Sequence, residues 1–278
     1  MPEGDSVWRA ARRLDRGLSG HRLVRSDFRV PQHAEADLSG RHVHPTDTHG
    51  KHMLTRFDGD LTLHTHFRME GSWTVLGPGK RLPRALHPDI RVVLEADHGR
   101  TAYGLLIPVV ELIRTRDEPT VVGHLGPDPL RADWDKDEAV RRLGQDPKRP
   151  VVAAMLDQRL LAGLGNLWVN EICFLRGVSP WTPVASTDLP RAVALAHRAL
   201  RQSITVRGNG QVTTGNPRAG EEHWVYGRTG LGCRRCGTRI RHAPELPGDP
   251  DRRATWWCPT CQPGPGPETD AVRAVRVR

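Results

Sequence analysis

The sequence predicts an α+β multidomain protein: an N-terminal helix with a two-sheet β-sandwich, a small helical domain, and a C-terminal zinc ribbon. Three observations carry this. A helical apolar pattern near the N-terminus leads into short strands separated by Gly- and Pro-rich turns. Beyond a proline-rich stretch at 124–130 the spacing turns helical. Near the end, two Cys-x-x-Cys pairs stand twenty-one residues apart.

In order, Val7, Ala10, Ala11, Leu14 and Leu18 share one helix face, and Gly20 ends the pattern. Residues 21–30 have strand composition and stop at Pro31. Residues 41–57 and 61–67 read as antiparallel strands joined through Asp58-Gly59-Asp60, a hairpin signal. Short strands are expected around 72–76, 90–96 and 105–113. Helices follow at about 133–143, from Pro150 to about Leu161, at 167–175 and at 188–205. Residues 263–278, rich in Pro, Gly and Arg, are expected to be disordered. The expected domains are therefore 1–123, 124–222 and 223–262, with 263–278 as a tail.

The 278 residues suffice for two domains with real cores. No apolar run is long enough to span a bilayer, and no signal peptide is expected. A net charge of +9 favours a polyanionic partner, nucleic acid first. Four of the five cysteines form the two pairs, and Cys173 lies alone in an apolar helical stretch. That usage suits a metal site in a reducing compartment rather than a disulfide framework.

The cysteine pairs carry the strongest chemical signal. Cys233, Cys236, Cys258 and Cys261 match a tetrahedral four-cysteine zinc site with no open position, so one structural Zn2+ per chain is expected. Arg234, Arg235, Arg239, Arg241, Arg252 and Arg253 crowd the ribbon and favour phosphate contact. Gly163-Leu164-Gly165-Asn166 between two helices offers close backbone approach and helix-start N–H groups for phosphate. Six histidines lie between positions 42 and 66, but no carboxylate stands at ligand spacing beside them.

The N-terminus, Met1-Pro2-Glu3-Gly4, has a chemistry of its own. With Met1 removed, Pro2 presents a secondary amine on a rigid ring. A free α-amino group titrates at about 7.7–8.0, so much of it is an unprotonated nucleophile near neutrality. The positive end of the following helix disfavours its ammonium form, while Glu3 supplies a carboxyl for proton transfer.

Taken together, these motifs resemble the formamidopyrimidine-DNA glycosylase and endonuclease VIII family of base-excision repair enzymes. The resemblance rests on the PEG start, on HGKHMLTRFDGDLTLHTHFRMEGSW, on HLGPDPL, on LDQRLLAGLGNLWVNE, and on WVYGRTGLGCRRCG with RRATWWCPTC. It covers residues 1 to about 262 in order.

It implies a helix–two-turns–helix motif in the helical domain and a bifunctional DNA glycosylase/AP lyase, acting as a monomer in the bacterial cytoplasm, associated with the nucleoid. Pro2 is implied as the nucleophile at C1′ and Glu3 as acid/base. Lys51, Asn166 and Arg253 are implied to hold phosphates, with neighbouring Arg252 as the alternative finger arginine. Met69 is implied to wedge into the gap left by an extruded base. Where the family carries an Arg-Phe pair toward the opposite strand, this sequence has only Arg100 and Tyr103 in Gly99-Arg100-Thr101-Ala102-Tyr103-Gly104. That departure, PEG at the start, and a short segment between Thr214 and Tyr226 point to the endonuclease VIII branch of actinobacterial type and to oxidised pyrimidines. The alternative is a non-catalytic binder of damaged or abasic DNA on the same fold.

Overall fold

A computed structural model describes residues 2–206, 210–246, 251 and 253–267. Arg252, and residues 268–278 of the tail expected at 263–278, lie outside the described residues, while 263–267 depart from the expected disorder, since the Ser179 hydroxyl donates to the Pro265 carbonyl at 2.5 Å. The chain divides into two compact units, 1–124 and 125–278.

In the first unit, helix α1 spans Gly4–Leu18. The strands are β1 (Leu23–Phe28), β2 (Val43–His49), β3 (His52–Phe57), β4 (Leu61–His66), β5 (Ser72–Leu76), β6 (Ile90–Ala96), β7 (Thr101–Leu105) and β8 (Val109–Arg114). A short helix α2 covers Glu118–Val122. The strands form two antiparallel four-stranded sheets, ordered β1-β6-β7-β5 and β2-β3-β4-β8.

The apolar face of α1 is what the spacing predicts. Val7, Ala10, Ala11, Leu14 and Leu18 are all buried, in one cluster with Met53, Phe57 and Leu63 of one sheet and Trp73, Val92 and Leu94 of the other. Burying each Val or Leu side chain contributes about 1.5–3 kcal/mol. This core fixes α1, and with it the chain start, against the sandwich.

Two strand expectations need correction. Residues 41–57 hold two strands, because Gly50 takes φ 59° and reverses the chain in a two-residue turn with Lys51. Glycine at the first turn position suits the II′ hairpin class. Residues 105–113 likewise do not form one strand: β7 ends at Leu105 and β8 starts at Val109. The apolar run Leu105-Leu106-Ile107 hides this reversal, which occurs at Leu106 with φ 49°.

The second unit contains α3 (Lys136–Leu143), α4 (Val151–Leu156), α5 (Asn166–Arg176) and α6 (Leu189–Thr205), then a two-stranded ribbon of β9 (Arg241–Ala243) and β10 (Thr255–Trp257). Helix α3 begins three residues later than expected, because the Asp135 carboxylate accepts the N–H groups of Asp137 and Glu138 and caps it there. Helix α4 ends at Leu156 rather than near Leu161, as Asp157 turns extended and pairs with Arg149 and Arg159.

The chain between α4 and α5 is a corner built on side-chain hydrogen bonds. Gln158 donates to the carbonyls of Leu156 and Leu164 and accepts the N–H of Gly163. The proline-rich stretch packs on this corner: Gly126 donates to the Gln158 carbonyl, and Ala162 donates to the Pro127 carbonyl. A Cβ on Gly126 would stand 2.6 Å from the Leu160 carbonyl carbon, so only glycine fits.

Candidate active site and nucleic-acid interface

The first unit presents its chemistry at the start of α1 and on its hairpin turns. Pro2 directly precedes Glu3, which is the N-cap of α1. Glu3 is fully buried, its N–H donating to the Ser6 hydroxyl at 2.8 Å while that hydroxyl donates back to the Glu3 carbonyl at 2.9 Å. A reactive amine at Pro2 would therefore sit at the positive end of a fifteen-residue helix, beside a carboxyl removed from bulk water.

Lys51 lies on the β2–β3 turn, one residue ahead of the strand start. Behind it is a group of imidazoles. His52 Nδ1 lies 2.8 Å from His64 Nε2, and His64 Nδ1 lies 2.7 Å from Glu111 Oε2. A carboxylate only accepts, so His64 Nδ1–H donates to Glu111, and the His52–His64 hydrogen bond extends this chain to His52. Burial and the neighbouring His66, His64, His124 and His49 push His52 down to about 3. Burial, then the charge of Lys51, pushes His66 down to about 4. Both rings are thus neutral at physiological pH. The carboxylate that meets His64 is far from it in sequence because Glu111 arrives across the sheet, on β8.

Met69 is 62% exposed on the turn after β4, the most exposed large apolar residue among those described. Its neighbour Arg68 takes φ 47° and is exposed too. Arg100 and Tyr103 do not share a loop. Arg100 is on the β6–β7 turn, and Tyr103 is inside β7, packed with Leu82, Ile90, Val93 and Leu105. The chain segment that sequence reasoning missed is the β7–β8 turn, where Leu106 is 36% exposed. A left-handed backbone at a non-glycine residue costs about 1–3 kcal/mol and tends to persist at functional positions.

In the second unit, Asn166 opens α5 at the expected corner. Its side chain is 3% exposed and is engaged within the protein: Nδ2 donates to the Ala254 carbonyl at 2.8 Å, and Oδ1 accepts from Asn170 at 3.0 Å. Asn170 Oδ1 in turn accepts the Trp256 N–H at 2.7 Å. These contacts tie the α5 start to the ribbon strand beside Arg253. Arg253 is largely covered and pairs with Asp251 at 3.2 Å.

Glu171, one turn further along α5, is a second group that the sequence reading missed. Its fully buried carboxylate accepts the backbone N–H groups of Trp224, Val225 and Tyr226 at 2.8, 2.8 and 2.9 Å, and a hydrogen bond from the Thr213 hydroxyl. One charged residue inside the apolar run Leu167–Leu175 was the available signal.

The four cysteines converge as the spacing predicts. Their sulfurs all lie within 4.8 Å of one another, with Cys233–Cys261 at 3.9 Å and Cys236–Cys258 at 3.5 Å. Four sulfurs this close repel one another as thiolates, and a cation among them would relieve that repulsion. Spacing, donor chemistry and convergence fit a bound metal. The ribbon arginines are less available than their density suggests. Arg234 donates to the His223 and Gly220 carbonyls, Arg239 to that of Gly230, and Arg235 stacks 4.5 Å over the Phe174 ring. A ribbon too small for a large core uses guanidinium groups to satisfy its carbonyls.

Comparison with known proteins agrees with this architecture. The family model described as formamidopyrimidine-DNA glycosylase N-terminal domain matches residues 1–104, and that described as formamidopyrimidine-DNA glycosylase H2TH domain matches residues 125–214. The chain belongs to the formamidopyrimidine-DNA glycosylase family. Within it, the chain is 48% identical to a probable endonuclease 8 2 of Streptomyces coelicolor, over the whole of both chains. It is 43% identical to endonuclease 8 2 of Mycobacterium tuberculosis, with 94% of this chain and 100% of that one covered. It is 41% identical to the DNA-(apurinic or apyrimidinic site) lyase Nei2 of Mycolicibacterium smegmatis, covering 94% of this chain and 99% of that one. The fold matches the Lactococcus lactis glycosylase solved with DNA containing an oxidised pyrimidine, at a TM-score of 0.75 and 23% identity, over 95% of this chain and 100% of that one.

Proposed function

We propose that the protein is a bifunctional DNA glycosylase and AP lyase that removes oxidised pyrimidines through an imine on Pro2. The observation that carries this reading is the pairing of Pro2 with a buried carboxyl, Glu3, at the N-terminus of α1, in a member of a glycosylase family. The names of the endonuclease 8 and lyase relatives support it.

The chemistry requires removal of Met1. The Pro2 lone pair attacks C1′ of the damaged nucleotide, and the C1′–base bond breaks with its electron pair leaving on the base, which takes up a proton. Ring opening then breaks C1′–O4′, leaving an iminium at C1′ while O4′ receives a proton; Glu3 is the acid for that transfer. Loss of the C2′ proton lets electrons move into the sugar and expel the 3′ phosphate, which is β-elimination. Where δ-elimination follows, loss of the C4′ proton expels the 5′ phosphate in turn. Water hydrolyses the iminium and restores the amine.

Extrusion of the nucleotide needs phosphate clamps and a plug for the vacated space. Lys51 is read as one clamp and Arg253 as another. Because the Asn166 side chain is engaged on Ala254 and Asn170, its phosphate contact would come from the remaining amide hydrogen and the N–H groups that open α5. Met69 is the plug. Zn2+ on Cys233, Cys236, Cys258 and Cys261 is structural, since four thiolates leave no position for substrate. The partner is DNA, the acting form a monomer, and the location the bacterial cytoplasm.

Borohydride trapping on an oligonucleotide carrying one abasic site tests this. A covalent adduct with the native chain and none with Pro2→Gly is expected. Equal trapping by both would remove Pro2 from the reaction. No trapping, with tight binding and mass-verified loss of Met1, would favour a non-catalytic binder.

A further inference from the structure

Among the described residues, one group besides the four cysteines brings three metal-ligating side chains together. It consists of His21, Asp97 and His98, whose ligand atoms all lie within 4.8 Å of one another. His21 lies between α1 and β1, and Asp97 and His98 lie on the β6–β7 turn. The two segments meet because β1 and β6 pair, with Leu23 opposite Ala96.

Backbone hydrogen bonds fix both segments. The His21 N–H donates to the Leu18 carbonyl at 3.1 Å, and the His21 carbonyl accepts the Val43 N–H at 2.9 Å. The Asp97 N–H donates to the Arg22 carbonyl at 2.9 Å. Gly99, at φ 83°, closes the turn by donating to the Ala96 carbonyl at 2.8 Å. The three side chains are therefore presented together by the fold itself.

An ion pair accounts for only part of this arrangement. His21 Nδ1 lies 3.2 Å from Asp97 Oδ1, and the His98 ring stacks on His21 with centroids 3.7 Å apart and planes 12° apart. His98 Nδ1 stops 3.6 Å from the same oxygen, beyond hydrogen-bond reach. It is a buried nitrogen with no hydrogen-bond partner, which is costly unless something else satisfies it. Zinc bonds of 2.0–2.2 Å place neighbouring tetrahedral ligands about 3.4 Å apart. The separations of 3.2 and 3.6 Å straddle that value. Both imidazoles are partly exposed, so the rings can tilt to close the third side.

We propose that His21, Asp97 and His98 form a second metal site, which takes one divalent transition ion through two Nδ1 atoms and one carboxylate oxygen. Two imidazoles and a carboxylate suit Zn2+ and its first-row neighbours and disfavour Mg2+ and Ca2+, which take oxygen ligands. Water completes the coordination. Helix α1, with fifteen residues, is about 22 Å long, and the site follows its C-terminal end while Pro2 precedes its start. The ion is therefore structural: it clamps the β6–β7 turn to the corner between α1 and β1. The proposal does not depend on the reaction assigned to Pro2.

Two measurements test this, and neither requires the chain to cleave DNA. The first is calorimetric titration of the full chain, already carrying one zinc on the ribbon, with zinc chloride at neutral pH. One further ion per chain is expected, and none with magnesium chloride. His98→Ala and Asp97→Asn should each weaken that binding at least about tenfold, while His44→Ala, at an exposed histidine outside the site, should leave it unchanged. Absence of a further ion, or native affinity in either site variant, overturns the proposal. The second is hydrogen exchange with and without added zinc. Exchange should slow in both segments, 18–24 and 94–100, in the native chain and in neither segment of His98→Ala. Slowing in one segment alone, or equal slowing in the variant, would mean that no ion bridges the two.

Discussion

The side-chain amide of Asn166 donates to the backbone carbonyl of Ala254 at 2.8 Å, joining the first residue of α5 to the residue that follows Arg253. The ribbon strand is therefore registered on the helix by a single buried amide, backed by Asn170 on Trp256. Asn166→Ala leaves the Ala254 carbonyl without its donor, while the Asn170 amide keeps its bond to the backbone carbonyl of residue 166, a cost of about 1–3 kcal/mol. Asn166→Asp retains an acceptor but has no donor for Ala254. Both are expected to weaken DNA binding about tenfold and to lower Tm, which fluorescence anisotropy at fixed salt and thermal unfolding would measure. Native affinity in both variants would show that the amide is dispensable.

Glu171 should be the residue of the second unit least tolerant of change. It satisfies three consecutive backbone N–H groups of the chain leading into the ribbon. Glu171→Ala strands those donors in a buried site, and about 3–5 kcal/mol of destabilisation is expected. Glu171→Gln keeps the shape but offers one oxygen in place of two, so a smaller loss, about 2 kcal/mol, should follow. Urea unfolding separates the two, and limited proteolysis should cut first near 213–226 in both.

How much of this is legible in the sequence depends on where each signal is carried. The α1 face is readable because helical burial follows a local period, and Val7 through Leu18 repeat it. The cysteine site is readable because its ligand spacing is local within each pair. The β7–β8 turn is not. Leu105-Leu106-Ile107 is an apolar run with no turn residue, and only φ at Leu106 reveals the reversal. Tyr103 reads as a loop aromatic for the same reason, since the sequence does not separate β7 from the turn beside it. The Glu111 contact with His64 is set by sheet register, which short strands encode weakly.

Gly126→Ala gives a packing test of the corner between α4 and α5. The added methyl would meet backbone at each of its nearest contacts, with the Leu160 carbonyl carbon at 2.6 Å and the Arg159 oxygen at 2.7 Å. Backbone cannot rotate away as a side chain can, so the corner must open. About 2–4 kcal/mol is expected, at the upper end of overpacking costs. A variant as stable as the native chain in urea would mean that the corner is looser than its hydrogen bonds imply.

Metal removal should act on binding through the ribbon. The cluster beside the cysteines contains Phe174, Val225 and Ile240, so the site supports a small apolar core rather than a cleft. One zinc per chain is expected by elemental analysis, and none in Cys258→Ala, whose thiol is fully buried. DNA affinity should fall at least tenfold in that variant. Full affinity after verified zinc loss would exclude the ribbon from binding.

Stability should fall on mild acidification because of His52 and His66. Their folded values, about 3 and about 4, lie below the ordinary 6.5 of the unfolded chain. Between those limits the unfolded state binds more protons than the folded one, so stability declines as pH falls from about 6.5 toward 4. Well above 6.5 neither ring is protonated in either state and the effect fades. Each histidine contributes a slope of at most about 1.4 kcal/mol per pH unit. Carboxylates and zinc ligands add slopes of their own, so the informative quantity is the difference between native chain and variant. His52→Gln and His66→Gln should each flatten the decline between pH 6.5 and 5 in urea unfolding, while leaving the profile above pH 7 parallel to the native one. Parallel profiles throughout would mean that these imidazoles titrate alike in both states.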